Sequence, residues 1–114
     1  MRHLNLGAAA AVFLALPATF LMAEAAGAAD AAAGKQKAQM CAVCHGIDGL
    51  AKVPDAPNLA GESTVYTTRQ LLAFKSGERQ HEQMSIIAQG LSDEDIADLA
   101  AWYASIKISV EVPK

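Results

Sequence analysis

An all-α fold is predicted by three features of this chain. Residues 31–40 are alanine-rich with helical spacing, and 65–76 and 93–106 carry apolar residues at a helical period. Each of the latter two follows a capping residue, and one of them stops at a glycine. Between the first two segments, Gly46, Asp48, Gly49, Pro54, Asp55, Pro57, Asn58 and Gly61 punctuate the chain too densely for helix or strand.

Before the first helix lies a targeting signal. Arg2 and His3 form a short basic region, Leu6 to Phe20 is uncharged and apolar, and Ala23-Glu24-Ala25 and Ala26-Gly27-Ala28 are small-residue cleavage sites. Residues 1–28 are therefore expected to be removed, leaving 29–114 as one domain. An uncleaved anchor is the competing reading, because Leu4 to Ala23 nearly reaches the ~20 residues that span a bilayer. Alanine and glycine dilute that stretch, so export with no lasting membrane insertion is expected, with the domain in the periplasm. Losing Arg2 and Glu24 together leaves the net charge of −3 unchanged. No basic run or patch points to nucleic acid.

The first helix, Ala31 to Met40, runs into Cys41-Ala42-Val43-Cys44-His45. Two thiols three positions apart followed at once by histidine are the signature of covalent haem attachment. Both sulfurs then reach neighbouring vinyl groups of one porphyrin, and the next residue presents its imidazole to the iron. Cys41 and Cys44 are read as thioether anchors and His45 as an axial ligand. A thioredoxin-type pair belongs beside a βαβ pattern, which is absent around these residues. Structural zinc needs four ligands, and no further cysteine exists. A disulfide here would close almost nothing. One such motif means one haem c.

Without its leader the chain keeps Tyr66, Phe74, Trp102 and Tyr103 as its aromatics. A domain of about 86 residues sits in the size range where a core alone supplies only a few kcal/mol, so the haem plate is expected to act as the staple. Within the first helix, Gly34 and Ala38 share a face and leave room for a second helix.

The next helix runs from Val65 to about Ser76, capped by Ser63 or Thr64 and stopped by Gly77. Tyr66, Ala73, Phe74 and Leu71 form its apolar side. For a second axial ligand, Met1 and Met22 leave with the leader, and Met40 is held away by the adjacent Cys41. Met84 and His81 remain, with an open iron site as the third possibility. A thioether would raise the potential relative to bis-histidine ligation and close the iron to substrate. Ser92 to Asp95 is a capping-box pattern opening the last helix, Asp93 to Ile106, with Ile96, Leu99, Ala100, Tyr103 and Ile106 as its buried stripe. The acidic residues Asp93, Glu94, Asp95 and Asp98 suit a helix start.

Together, the haem motif, Pro57-Asn58-Leu59, the segment from Tyr66 to Arg79 and the run after Met84 resemble the class I (mitochondrial-type) c-type cytochromes. The chain is similar to the small monohaem cytochromes c553 and to single domains of the cytochrome c4 group over nearly all of 29–114. The resemblance implies that the Pro57 carbonyl accepts the ring N–H of His45, that Leu59 is haem wall, and that Met84 is the sixth ligand. It further implies that Tyr66 or Arg79 borders the haem and that Tyr103 packs over Gly34. One departure is that Lys37 and Ala38 stand where mitochondrial-type chains carry an aromatic. Trp102 is expected to face elsewhere, toward a haem propionate. The implied role is a monomeric one-electron carrier, not an enzyme, passing electrons between donor and acceptor proteins that dock at the haem edge, with Lys52, Lys75 and Arg79 as rim candidates. The alternatives are a permanent haem subunit of an oxidoreductase, such as a sulfur-compound dehydrogenase, and a five-coordinate gas-binding or peroxidatic protein.

Overall fold

A computed structural model describes residues 27–114, so the expected leader lies almost wholly outside the described residues. Five helices, α1 (Ala31–Lys37), α2 (Ala42–His45), α3 (Thr64–Ser76), α4 (Glu82–Gln89) and α5 (Asp93–Ser105), make up the regular structure, with no strand among the described residues. None of these helices is long and apolar enough to cross a membrane.

The first helix ends earlier than its composition predicts. After Lys37, hydrogen bonds to the residue three back, Gln39 N–H to Gln36 O and Cys41 N–H to Ala38 O, interrupt the regular ladder. The chain then re-enters helix as α2, which carries Cys44 and His45. This break lets a single continuous stretch serve two surfaces: α1 packs on α5, while Cys41, Cys44 and His45 border a cleft.

Helix α5 is the spine, packed against α1 on one side and α3 on another, with α4 reaching the bundle through α3. Ser92 and Asp95 form the reciprocal capping box, with Asp95 N–H to Ser92 Oγ at 3.0 Å and Ser92 N–H to Asp95 Oδ2 at 2.9 Å. Ile96, Leu99, Ala100 and Tyr103 are buried, while Ile106 caps the helix and packs at the core's edge. Ser63 caps α3 through Tyr66 N–H, and Gly77 ends it at φ +82°. The inner side of α3 is the expected one at Leu71 and Phe74, but Tyr66 is exposed beside Arg69 and Thr67 faces inward in its place, four residues before Leu71.

The helix pair α1/α5 also departs from expectation. A Cβ on Gly34 would collide with the backbone carbonyl of Asp98 and lie 3.0 Å from the Trp102 Cβ, so Gly34 seats the α5 backbone and not the Tyr103 ring. Trp102, expected to face a haem propionate, instead donates its indole N–H to the Ile47 carbonyl at 3.2 Å, with Lys35 over its ring.

Where the mitochondrial-type chains it resembles carry an aromatic on the first helix, this chain has an ion cluster. Lys37 Nζ lies 2.7 Å from Asp98 Oδ2 and 2.8 Å from Asp95 Oδ1, and Asp98 Oδ1 accepts the Asp30 N–H at 2.7 Å. Asp98 is thus a buried helix-to-helix tie and not merely a helix-start charge. The Lys37 ammonium, then the Ser92 backbone and hydroxyl, pull the Asp95 carboxyl from the usual 3.8 to about 2. The Asp30 N–H, then Lys37, holds Asp98 below the usual carboxylate range. Because both carboxyls are depressed in the folded state, the stability they contribute is complete above about pH 4 and is lost as pH falls toward 2. The urea midpoint of the holoprotein should therefore drop across that window. Lys37→Met should lower the midpoint at neutral pH and flatten the acid slope; an unchanged acid slope would show that the cluster does not set it.

Candidate functional site

The loop from Gly46 to Ser63 is held by hydrogen bonds that fold it back on α2 and α5. Lys52 N–H reaches Cys44 O at 2.8 Å, Leu59 N–H reaches Gly49 O at 2.7 Å, and Gly61 N–H reaches Tyr103 O at 2.9 Å. Gly49, at φ +71°, touches the Ala60 backbone so closely that a Cβ would collide with it. Asn58 accepts Ala51 N–H through its side chain at 2.8 Å, a role its neighbours in sequence did not reveal. Pro57 is thereby brought over α2, where its carbonyl lies 2.9 Å from His45 Nδ1. A carbonyl can only accept, so Nδ1 carries the proton and the lone pair of His45 is on Nε2.

Cys41, Cys44, His45, Pro57, Leu59 and Met84 all border one cleft, with Leu71, Phe74, Leu91, Leu99 and Tyr103 among its apolar walls. The cleft opens to solvent on one side, and its walls are mostly apolar, the kind of surface a large planar ligand packs against. Burial pushes the Cys41 thiol up, so a neutral sulfur is favoured at that position, as a thioether is at every pH. Burial likewise raises Tyr103, whose hydroxyl stays protonated and donates to Gly46 O at 3.3 Å. Arg79 borders the cleft, stacked 4.5 Å from the Phe74 ring and bonded to Gln70 at 2.6 Å, whereas Tyr66 does not. Lys52 and Lys75 are paired with Asp48 and Asp93 and lie outside the cleft wall.

Two features were not visible in the sequence. Thr67 borders the cleft with its hydroxyl buried and without a hydrogen-bond partner. A helical threonine ordinarily bonds back to a carbonyl in the preceding turn, so an orphaned hydroxyl facing a cleft fits a wall completed by a ligand. His81 caps α4, its Nδ1 accepting from Gln83 N–H and Met84 N–H. Histidine is outside the usual capping set, and no helix was expected over 82–89 from periodicity.

An apolar cleft flanked by two cysteine sulfurs that form no disulfide and an imidazole of fixed tautomer, inside an all-α shell, defines a protein built around covalently attached haem. The family model for cytochrome c matches residues 31–107, and the chain belongs to that family. It has the class I all-α fold, and haem c is attached through Cys41 and Cys44. The chain is similar to cytochrome c-554(548) of Halomonas halodenitrificans, 48% identical over 81 residues that cover 68% of this chain and 98% of that protein. Cytochrome c4 of Pseudomonas aeruginosa is 46% identical over 89 residues, 78% of this chain and 43% of that protein. The crystal structure of reduced recombinant cytochrome c4 from Pseudomonas stutzeri superposes with a TM-score of 0.67 at 38% identity, covering 73% of this chain and 48% of that one. The chain thus spans under half the length of these two cytochrome c4 chains.

Proposed function

We propose that the chain is a periplasmic one-electron carrier whose haem iron is held by His45 and Met84, and that residues 1–28 are its cleaved export signal. When bound, the haem supplies an iron that alternates between ferric and ferrous states. Around it the protein's work is orientation and exclusion. The observation that carries the reading is the His45–Pro57 hydrogen bond, which leaves Nε2 as the free lone pair and makes the ring a stronger donor. Met84 borders the same cleft from α4.

His81, the rival ligand, is disfavoured by its own hydrogen bonds. A neutral imidazole that coordinates through Nε2 must carry its proton on Nδ1, and the cap needs Nδ1 bare to accept from Gln83 and Met84. Ligation and capping are therefore mutually exclusive. A thioether opposite histidine closes the iron to substrate and favours the reduced state, which suits transfer of electrons and not bond-making chemistry. Donor and acceptor proteins would meet the haem edge near Cys41, Cys44 and Met84.

Met84→Ala should abolish the weak near-infrared band of sulfur-ligated ferric haem and admit carbon monoxide rapidly to the ferrous form. Met84→His should lower the midpoint potential by a sizeable fraction of the ~0.8 V range that axial ligation commands. Fast carbon monoxide binding by the unsubstituted protein would instead support the open, five-coordinate site.

A further inference from the structure

We infer that His81 is a positioning residue that secures the turn bearing Met84 and so sets how readily an external ligand can replace that thioether. The inference rests on the reading of Met84 as axial ligand. His81 has the extended backbone of an N-cap, φ −157° and ψ 137°. Its Nδ1 accepts the N–H groups of Gln83 and of Met84, each at 3.3 Å. Its own N–H donates to Ser85 Oγ at 3.0 Å, and Ser85 N–H returns to the His81 carbonyl at 3.0 Å. The last of these is the ordinary first bond of the helix, while the two side-chain bonds, His81 Nδ1 from the Met84 N–H and Ser85 Oγ from the His81 N–H, hold the turn around Met84 much as a capping box does with other side chains.

The rest of α4 does little to replace that hold. At eight residues it is too short to persist on propensity. Among the helices it packs substantially only on α3, with Ala88 as its one buried residue. The imidazole itself is anchored from the α3 side: its ring meets Phe74 edge-on, centroids 6.5 Å apart, and Arg79 stacks on Phe74. A line of contact thus runs from the buried Phe74 through His81 to the Met84 amide. Met84 leaves the iron only if its side chain rotates or its turn moves, and the cap opposes the second motion.

The test is cyanide binding to the ferric holoprotein, whose rate reports dissociation of the resident ligand. His81→Ala should accelerate it roughly three- to tenfold, the effect of losing one N-cap. His81→Asn, which restores a capping oxygen, should return the rate close to that of the parent, and Ser85→Ala should give a smaller rise in the same direction. An unchanged rate in His81→Ala, or His81→Asn as fast as His81→Ala, would overturn the assignment. Should His81→Ala fail to fold, Ser85→Ala and His81→Asn decide it alone. Met84→Ala separates the underlying reading: if the parent already binds cyanide as fast as Met84→Ala, Met84 is not a ligand, whatever the His81 variants do.

Discussion

Without its haem, this chain is expected to have no cooperative thermal transition. Cys41→Ala/Cys44→Ala, which removes both attachment points, should yield a protein with reduced helical signal and no sharp melting step by circular dichroism. The reason is the position of the cleft. Of the buried apolar side chains among the described residues, Phe74, Leu91, Leu99 and Tyr103 also border it, joined there by the half-buried Leu59, Leu71 and Ile87. Each packs against its neighbours on one side and against the cleft on the other. Emptying such a wall forfeits contact along its whole length, and at roughly 25 cal/mol per Å² of apolar surface that loss is comparable to the few kcal/mol a domain of this size holds. A sharp transition in the haem-free variant would show that the helices sustain a core by themselves.

Gly34→Ala is expected to be the most damaging single substitution on the side away from the haem. Its new Cβ would run into the Asp98 carbonyl and meet the Trp102 Cβ at 3.0 Å, so α1 must move off α5. Backbone cannot rotate away as a side-chain tip can. Ala38, fully buried one turn further along α1, would lose its seat, and the Asp30 and Lys37 bonds to Asp98 would lengthen. Alanine gains about 1 kcal/mol in helix propensity over glycine, but overpacking of this kind commonly costs 1–3 kcal/mol and more when backbone is involved. Taking the upper end of that cost, a net loss of about 2 kcal/mol corresponds to a fall in Tm of about 8–16 °C for a domain of this size. Melting within a degree or two of the parent would mean that the helices do not approach so closely.

The close approach at Gly34 was legible because a glycine four residues before an alanine in a helix has few other uses. Its partner was not. A helical period says which face of α5 turns inward, but it does not fix the rotation and height at which two helices meet, and a shift of one position exchanges Tyr103 for the Asp98–Trp102 edge. The same uncertainty put Tyr66 on the inner face of α3, where the structure has Thr67. Asp98 illustrates a second limit: a carboxylate near a helix start looks solvated until a backbone N–H and an ammonium from another helix are brought to it.

Sequence alone determined what is local and chemical: the haem-attachment motif, the existence of the three periodic helical segments, the cap at Ser92 and the stop at Gly77, because each depends on covalent spacing or on hydrogen bonds within a few residues. Tertiary structure decided which groups separated by dozens of residues share an environment. It broke the first helix before Cys41, set Trp102 against Ile47, and buried the Thr67 hydroxyl in the cleft wall. Those outcomes depend on how whole helices dock, a balance of packing and desolvation summed over many side chains that no single stretch of the chain encodes.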